Sequence, residues 1–137
     1  MATDGEQAIR GGRRVLVVDD DALNRRAAEV LLGRHLLEVV TVSDGRAALE
    51  RVAAETFDLI LLDDRMAPPD GPAVAAEIRR REQVAGSPRI PIIAITASVL
   101  PEDAERLLAA GMDEVLSKPL LAAELDAALR RWLGSVD

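Results

Sequence analysis

The sequence predicts one doubly wound α/β domain built on a parallel sheet. Short, wholly apolar runs such as residues 15–18 and 59–62 alternate along the chain with longer segments whose apolar residues have helical spacing. Runs that are apolar at every position are typical of strands covered by helices on both faces. Strands that alternate with helices indicate βαβ units and therefore a parallel sheet. A length of 137 residues fits one such domain.

The first half of the sheet is predicted from three apolar runs and two amphipathic segments. Residues 15–18 and 39–42 are apolar runs of strand length. Each is followed by apolar residues at helical spacing, which predicts helices over 23–32 and 46–54. The third strand is predicted over 59–62, where Leu and Ile fill every position.

Proline and glycine mark the ends of the later elements. The third helix is predicted over 73–81, directly after a proline, because proline is favoured in the first helical turn. A fourth strand is predicted over 90–95. The fourth helix, over 102–110, begins after Pro101 with acids in its first turn and ends at Gly111, which can adopt the left-handed conformation of a helix stop.

The last unit is a short strand at 115–116 followed by a helix over 121–133. This helix has one apolar stripe, which we expect to pack against the core because such stripes normally face inward. Its members are Leu121, Leu125, Ala128, Leu129 and Trp132. The domain is therefore predicted to span 14–133, between polar tails at 1–13 and 134–137.

The composition argues against several classes of function. Asp and Glu number 24 against 17 Lys and Arg, and the net charge of −7 opposes direct binding to nucleic acid or anionic lipid. The chain has no cysteine, which excludes thiolate metal ligands and disulfides. No apolar run approaches the roughly 18 residues that indicate a membrane span, and no signal-peptide core is present. We therefore expect no membrane segment and a cytoplasmic location.

Residues able to bind metal or phosphate collect at the predicted strand ends. In parallel α/β sheets, ligands bind at the carboxyl edge, where loops from neighbouring strands converge. The residues at this edge are Asp19, Asp20 and Asp21 after the first strand, Asp63 and Asp64 after the third, Thr96 after the fourth, and Ser117, Lys118 and Pro119 after the fifth. One Asp in such a place is usually a turn former or a helix cap, and Asp21 is assigned that role. Two acidic clusters with a threonine and a lysine indicate a binding site instead.

The acidic clusters predict a site for a hard divalent cation. Carboxylates about 4 Å apart repel each other by roughly 4 kcal/mol at an effective dielectric of about 20, so a cluster needs a cation or raised pKa values. Oxygen ligands, in a chain with no cysteine and one histidine, favour Mg²⁺ or Mn²⁺ over zinc. A carboxylate beside Mg²⁺ can attack a phosphoryl group, and Lys118 and the Thr96 hydroxyl can hold the other phosphoryl oxygens. These residue types therefore predict transfer of a phosphoryl group to an aspartate.

Four sequence stretches, in order along almost the whole chain, match the pattern of a known family. They are residues 15–21 (VLVVDDD), 58–63 (DLILLD) followed by Met66 and Asp70-Gly71, 93–97 (IAITA) and 116–119 (LSKP). In these stretches the chain resembles the receiver domains of two-component response regulators and hybrid sensor kinases. The resemblance implies a flavodoxin-like (βα)5 sheet with strand order 2-1-3-4-5. It also implies a role in two-component or phosphorelay signalling, in which the phosphoryl group comes from a phosphohistidine.

The same resemblance implies a role for each site residue. Asp63 is the implied phosphoacceptor, with Thr96 and Lys118 in contact with the phosphoryl group. The implied metal ligands are the side chains of Asp19, Asp20 and Asp63 and the backbone carbonyl of Arg65. The peptide bond between Lys118 and Pro119 is implied to be cis. The implied partner is a sensor histidine kinase or a histidine phosphotransfer protein, and the domain is expected to catalyse only its own phosphorylation and dephosphorylation.

Three positions depart from the usual pattern of the family. Ala67 replaces a usual proline, which predicts a looser loop after Asp63. Asp64 replaces a usual apolar residue, and its charge is expected to strengthen Mg²⁺ binding and to disfavour an anionic phosphodonor, with Arg65 as the compensating cation. Val115 stands where an aromatic switch residue is common, so the usual movement of a ring is not expected here.

Other interpretations make different demands on the same positions. A phosphatase of the haloacid-dehalogenase type needs a second Asp two positions after the nucleophile, where Arg65 stands. A nucleotide-binding domain would need a phosphate-binding loop in place of the acidic residues 19–21. A receiver-like interaction module that works without phosphorylation stays open, with Asp64 and Val115 in its favour. His35 is expected to be a surface residue rather than a phosphotransfer histidine.

Overall fold

Strands and helices alternate along the chain, as the sequence predicts. The computed structural model describes residues 13–134. The strands are β1 (Arg14–Val18), β2 (Glu38–Val42), β3 (Leu59–Asp63), β4 (Ile92–Thr96) and β5 (Glu114–Ser117). The helices are α1 (Ala22–Leu32), α2 (Gly45–Ala54), α3 (Gly71–Ala85), α4 (Pro101–Ala109) and α5 (Ala122–Leu133). All five predicted βα units are therefore confirmed.

The five strands form one parallel sheet with the order β2-β1-β3-β4-β5. In the register of the three central strands, Val18 pairs with Leu62 of β3, and Asp63 pairs with Ile95 of β4. This order is that of the flavodoxin-like fold, whose ligands bind where the strand order reverses, between the first and third strands. The predicted fold class and strand order are confirmed, and Asp63 ends a strand in the middle of the sheet.

Each face of the sheet carries its own apolar cluster, because side chains alternate between the two faces of a strand. Val15 and Val17 of β1 face one cluster, and Leu16 and Val18 face the other. The first cluster contains Ala28 and Leu32 of α1 and Leu125, Ala128 and Leu129 of α5. The second contains Ala48 of α2, Val74, Ala75 and Ile78 of α3, and Leu107 of α4. Helices on both faces explain why β1 and β3 are apolar at almost every position.

Aspartate side chains begin three of the helices. Asp21 accepts hydrogen bonds from the backbone N–H groups of Leu23 and Asn24 at the start of α1. Asp44 accepts one from Ala47 at 2.7 Å, and Asp70 accepts one from Ala73 at 3.0 Å. These bonds satisfy backbone donors that have no partner inside a helix. The predicted role of Asp21 as a cap is confirmed.

Two predicted boundaries near the fourth strand are wrong. The third helix continues to Ala85 and ends at Gly86, whose φ of 66° lies in the left-handed region. The fourth strand begins at Ile92 rather than at residue 90. Ile90 donates its N–H to the Glu82 carboxylate at 2.8 Å, and proline at the next position has no N–H to place in a sheet.

The predicted apolar stripe of the last helix is only partly correct. Leu125, Ala128 and Leu129 are buried, but Leu121 and Trp132 at its two ends are exposed. Leu121 precedes the first helical turn. The indole N–H of Trp132 donates to the Glu114 carboxylate at 2.6 Å, which places the ring along the outer strand instead of in the core.

The expectation that His35 is a surface residue is wrong. Its side chain is only 9% exposed, and its Nε2 lies 2.8 Å from a carboxylate oxygen of Asp126 on α5. Arg34 binds the same carboxylate at 2.6 Å. These bonds between the end of α1 and α5 give His35 a structural role.

The terminal tails predicted at 1–13 and 134–137 lie outside the described residues, apart from Arg13 and Gly134. The limits 14–133 therefore stay a proposal for the domain boundaries. Within the described part of the chain, no helix has the length and apolar character needed to cross a membrane.

Candidate functional site

The predicted site residues come together at the carboxyl edge of the sheet. Asp19 follows β1, Asp63 and Thr96 end β3 and β4, and Lys118 follows β5. In the register of β4 and β5, Thr96 pairs with Ser117. Lys118 therefore lies one position further toward the carboxyl edge than Thr96. Residues far apart in sequence therefore meet because parallel strands end at the same edge.

Three carboxylates form the centre of this site. Asp19, Asp20 and Asp63 each offer an oxygen atom, and these atoms all lie within 4.8 Å of one another. Asp63 is only 2% exposed, Asp19 is buried, and Asp20 is exposed. Such a set of oxygen ligands, with one member open to water, is what Mg²⁺ requires, since Mg²⁺ usually keeps several waters. The chemistry of the donor set therefore fits a hard divalent cation.

Hydrogen bonds from the start of α1 hold Asp19 in place. The backbone N–H of Asp21 donates to a carboxylate oxygen of Asp19 at 2.9 Å. The Arg25 guanidinium donates to the Asp19 backbone carbonyl at 2.8 Å. The cap of α1 and the acidic site therefore share one turn, which orients the Asp19 side chain.

Lys118 is the cation that lies in the acidic site. Its Nζ donates to a carboxylate oxygen of Asp63 at 2.8 Å and lies 3.8 Å from Asp19. Burial lowers the pKa of the Lys118 ammonium, but the hydrogen bond to Asp63 and the charges of Asp63, Asp19 and Asp20 outweigh burial, so the pKa is raised. Lys118 is therefore charged at neutral pH.

Opposing effects act on the pKa of the Asp63 carboxyl group. Burial raises its pKa above the usual value, and the charges of Asp19 and Asp20 raise it further. The hydrogen bond from Lys118 and the charge of Lys118 act in the opposite direction without cancelling the rise. A cation in the site would favour the ionised form, which is the nucleophilic form.

Thr96 lies in the site, and its hydroxyl is bound to Asp64. The sequence instead predicts Arg65 as the partner of Asp64. The Thr96 Oγ1 donates to a carboxylate oxygen of Asp64 at 3.1 Å. The cation beside this carboxylate is Arg106 of α4, whose Nη2 lies 3.2 Å away. The expectation that Arg65 compensates Asp64 is wrong, because Arg65 is exposed and Arg106 makes the ion pair. No local sequence signal connects Asp64 with Arg106, which is 42 residues further along the chain.

The loop after Asp63 closes tightly against the end of β3. The N–H of Gly71 donates to the backbone carbonyl of Asp64 at 3.1 Å. A Cβ atom at Gly71 would lie 2.3 Å from the Asp63 carbonyl oxygen, so only glycine permits this approach. Arg65 lies in this loop, and the metal-binding role of its carbonyl stays a prediction, as does the looseness expected from Ala67.

Two further details concern the final strand. The Lys118–Pro119 peptide bond is cis, as the resemblance implies. Val115 of β5 is half-buried and packs against the second apolar cluster. No large ring at this position links the strand to the site.

Comparison with known proteins identifies relatives of this chain. A family model described as the response regulator receiver domain matches residues 15–130. Sensor protein GacS of Pseudomonas syringae pv. syringae is 37% identical over 121 residues, which are 88% of this chain and 13% of GacS. Sensor histidine kinase AruS of Pseudomonas aeruginosa is 45% identical over 123 residues, which are 89% of this chain and 12% of AruS. The chain therefore spans a small part of the length of these relatives.

Solved structures agree with the sequence relatives. The receiver domain of sensor histidine kinase PA1611 from Pseudomonas aeruginosa, which has a magnesium ion coordinated in its active site cleft, has a TM-score of 0.80 and 38% identity, covering 91% of this chain and 100% of that one. The co-crystal structure of the Saccharomyces cerevisiae histidine phosphotransfer protein Ypd1 with the receiver domain of Ssk1 contains a chain with a TM-score of 0.83 and 25% identity, covering 89% of each chain. Together with the match over residues 15–130, these relatives show that the chain belongs to the response regulator receiver domain family of two-component and phosphorelay signalling.

Proposed function

We propose that this receiver domain accepts a phosphoryl group from a phosphohistidine on the carboxylate of Asp63. The observation that carries the proposal is the position of Asp63, which is nearly inaccessible to solvent, bonded to Lys118 at 2.8 Å and grouped with Asp19 and Asp20 within 4.8 Å. A nucleophile, a cation and a set of metal ligands thus meet at one point. This is the combination that phosphoryl transfer needs, since the reaction depends on positioning and charge stabilisation.

The proposed metal ligands are Asp19, Asp20 and Asp63, with the backbone carbonyl of Arg65. Mg²⁺ and Mn²⁺ are both hard cations that suit carboxylate and carbonyl oxygens, and the site has no softer donor. When bound, such an ion neutralises the carboxylates and the oxygens of the phosphoryl group.

In the proposed reaction, a carboxylate oxygen of Asp63 attacks phosphorus and the bond between phosphorus and the donor imidazole nitrogen breaks. The imidazole leaves with the bonding electron pair and takes up a proton from water. Lys118 pairs with one phosphoryl oxygen as charge spreads over the group, and the Thr96 hydroxyl donates to another. Hydrolysis of the product returns Asp63 and phosphate, so the domain acts only on itself.

The proposed phosphodonor is a sensor histidine kinase or a histidine phosphotransfer protein. Support comes from the relatives, which include sensor histidine kinases, and from the receiver of Ssk1, whose structure was solved with Ypd1. The net charge of −7 supports a protein partner rather than direct binding to nucleic acid. The cytoplasmic location stays a prediction.

Incubation with acetyl phosphate and Mg²⁺, read by intact mass, tests the proposal. The domain should gain one phosphoryl group, and EDTA should prevent the gain. Asp63→Asn should gain none while keeping its fold by circular dichroism, because the amide removes the nucleophile with almost no change in shape. An equal gain in this variant would place the acceptor elsewhere. A wild-type domain that gains nothing would favour the interaction module that works without phosphorylation.

A further inference from the structure

Asp64 is a buried charge that the proposed reaction does not use. It is the neighbour of Asp63 in sequence, and its side chain is only 3% exposed. Burial of a carboxylate is unfavourable unless the charge is paired and hydrogen-bonded. Asp64 has both kinds of partner, because the Thr96 hydroxyl lies 3.1 Å from one oxygen and Arg106 lies 3.2 Å from the same oxygen and 3.3 Å from the other.

These contacts belong to a closed ring of polar interactions, which we call the Thr96 ring and which consists of Asp64, Thr96, Ser98, Asp103 and Arg106. Thr96 donates to Asp64 and accepts from the Ser98 N–H at 3.1 Å. The Ser98 hydroxyl donates to Asp103, and Asp103 lies 3.8 Å from Arg106. Arg106 returns to Asp64. The ring therefore connects the ends of β3 and β4 to both the first and the last turn of α4.

The Thr96 hydroxyl has one proton, so it can make one strong donor bond at a time. In this structure that proton is directed to Asp64. In the proposed reaction the same proton is needed by a phosphoryl oxygen on Asp63. The two acceptors are adjacent in sequence, Asp63 at the end of β3 and Asp64 directly after it, and they compete for one donor.

We propose that Asp64 and Arg106 are positioning residues that hold the Thr96 hydroxyl away from the phosphoryl group. Phosphorylation of Asp63 must displace the Asp64 carboxylate from Thr96, which opens the Thr96 ring and changes the contacts of Arg106 on α4. The signal then leaves the site through α4. This inference rests on the proposed function, because it concerns the response to the phosphoryl group on Asp63.

The inference predicts that removing the charge of Asp64 makes the phosphorylated state easier to form. Asp64→Asn keeps the size of the side chain, weakens the acceptor for Thr96 and removes the ion pair with Arg106. The Thr96 hydroxyl then no longer has to give up a hydrogen bond to a charged carboxylate before it can bind the phosphoryl mimic. Beryllofluoride, with Mg²⁺ present, should therefore bind about tenfold more tightly, which is the equivalent of one such hydrogen bond. The affinity is measured by titration of an NMR or fluorescence signal.

Loss of the negative charge of Asp64 would by itself strengthen binding of an anionic mimic. The test must therefore separate this effect of charge from an effect that acts through the Thr96 hydroxyl. Thr96→Val removes the hydroxyl with little change in shape. If Asp64 acts through Thr96, Asp64→Asn should no longer strengthen binding of the mimic in a Thr96→Val background. An equal gain in both backgrounds would overturn the inference, because Asp64 would then act through charge alone. Glu105→Gln, on the exposed side of α4, removes one charge outside the ring and should leave the affinity unchanged.

A spectroscopic signature gives a second test. In Asp64→Asn without any mimic, the amide signal of Ser98 and the methyl signal of Thr96 should shift toward their positions in the mimic-bound wild type. Signals that stay at the unbound positions, together with an unchanged affinity, would overturn the positioning role of Asp64 but not the proposed function. A folded wild-type domain that neither binds the mimic nor reacts with acetyl phosphate would overturn the proposed function and this inference together.

Discussion

The two edges of the sheet differ in how their charged residues are balanced. At the carboxyl edge, Lys118 lies 2.8 Å from Asp63 and 3.8 Å from Asp19, and Asp20 belongs to the same group of carboxylates. At the amino edge, four charges are matched, and they belong to Arg79, Glu82, Arg89 and Asp113. Excess charge at one edge is held ready for a cation and a phosphoryl group, whereas matched charge at the other edge stabilises the fold.

The matched network at the amino edge connects three elements. Arg79 of α3 binds Glu82 at 2.8 Å and Asp113, before β5, at 2.7 Å. Asp113 also accepts the N–H of Ile92 at the start of β4 at 2.9 Å. Because each of these charges has several partners, the network fixes the start of β4 and β5 against α3.

The largest effect should come from breaking this network. Arg79→Met keeps much of the apolar stem but removes the cation that pairs with Glu82, whereas Asp113 keeps its ion pair with Arg89. We expect the free energy of unfolding, measured with urea, to fall by about 3–5 kcal/mol, because an unpaired buried charge remains. Arg80→Met removes the adjacent arginine, whose ion pair with Glu77 is exposed, and should lower the free energy of unfolding much less. Equal losses in the two variants would contradict the distinction between the two kinds of pair.

Mg²⁺ should stabilise the carboxyl edge and leave the amino edge unaffected. At about 100 times its dissociation constant, Mg²⁺ is expected to raise the free energy of unfolding by about 2.7 kcal/mol. Thermal melting in Mg²⁺ and in EDTA should show a smaller gain in Asp63→Asn, which lacks one ligand charge. Arg79→Met should show the full gain, because distant sites act independently. A wild-type melting temperature that does not respond to Mg²⁺ would mean that the acidic cluster is not a metal site.

Lys118→Ala should separate metal binding from the response to the phosphoryl group. We expect calorimetry to show that Mg²⁺ binding persists, because Lys118 is a competing cation and not a metal ligand. Binding of beryllofluoride should weaken by about tenfold, since one charge-assisted hydrogen bond is lost. A large loss of Mg²⁺ affinity would show instead that Lys118 organises the carboxylates.

A smaller effect is expected from the raised pKa of Asp63. Its usual value is 3.8, and the folded state binds the proton more tightly than the unfolded state. Without Mg²⁺, the Asp63 contribution should therefore decrease stability as the pH rises from about the unfolded pKa through the higher folded pKa. Carboxyl groups with lowered pKa values, such as those of Glu77 and Asp126, add stability as the pH rises, so the quantity to compare is the difference in unfolding free energy between wild type and Asp63→Asn. The wild type should lose stability relative to Asp63→Asn as the pH rises through this range. A difference that does not change with pH would contradict the raised pKa of Asp63.

The smallest changes are expected in α5 when the phosphoryl mimic binds. Val115 has one stiff side-chain torsion and no ring that can swing between positions. NMR shifts on addition of beryllofluoride should be largest at residues 63–71 and 96–101, with a response of Arg106 on α4. Residues 121–133 should shift little. Changes in α5 as large as those at the site would show that β5 transmits the signal without an aromatic residue.

Most of the carboxyl edge was predictable because a general rule of parallel sheets places strand ends together. Asp63 and Lys118 are 55 residues apart in sequence, yet their meeting was expected, because each follows or ends a strand of the same sheet. The cap at Asp21 was predictable for a local reason, since its side chain bonds to the next backbone groups.

The parallel sheet, its buried strands and the residue types at their ends could all be predicted from the sequence, since these depend on hydrophobic period and chain order. Three side-chain contacts could not: Arg106 rather than Arg65 pairs with Asp64, His35 bonds to Asp126, and Trp132 lies against Glu114. Each of these contacts joins side chains from different elements, and their geometry depends on how the helices rotate when they pack on the sheet. No periodic pattern records that rotation, because long polar side chains can reach several neighbours and the packed structure selects one.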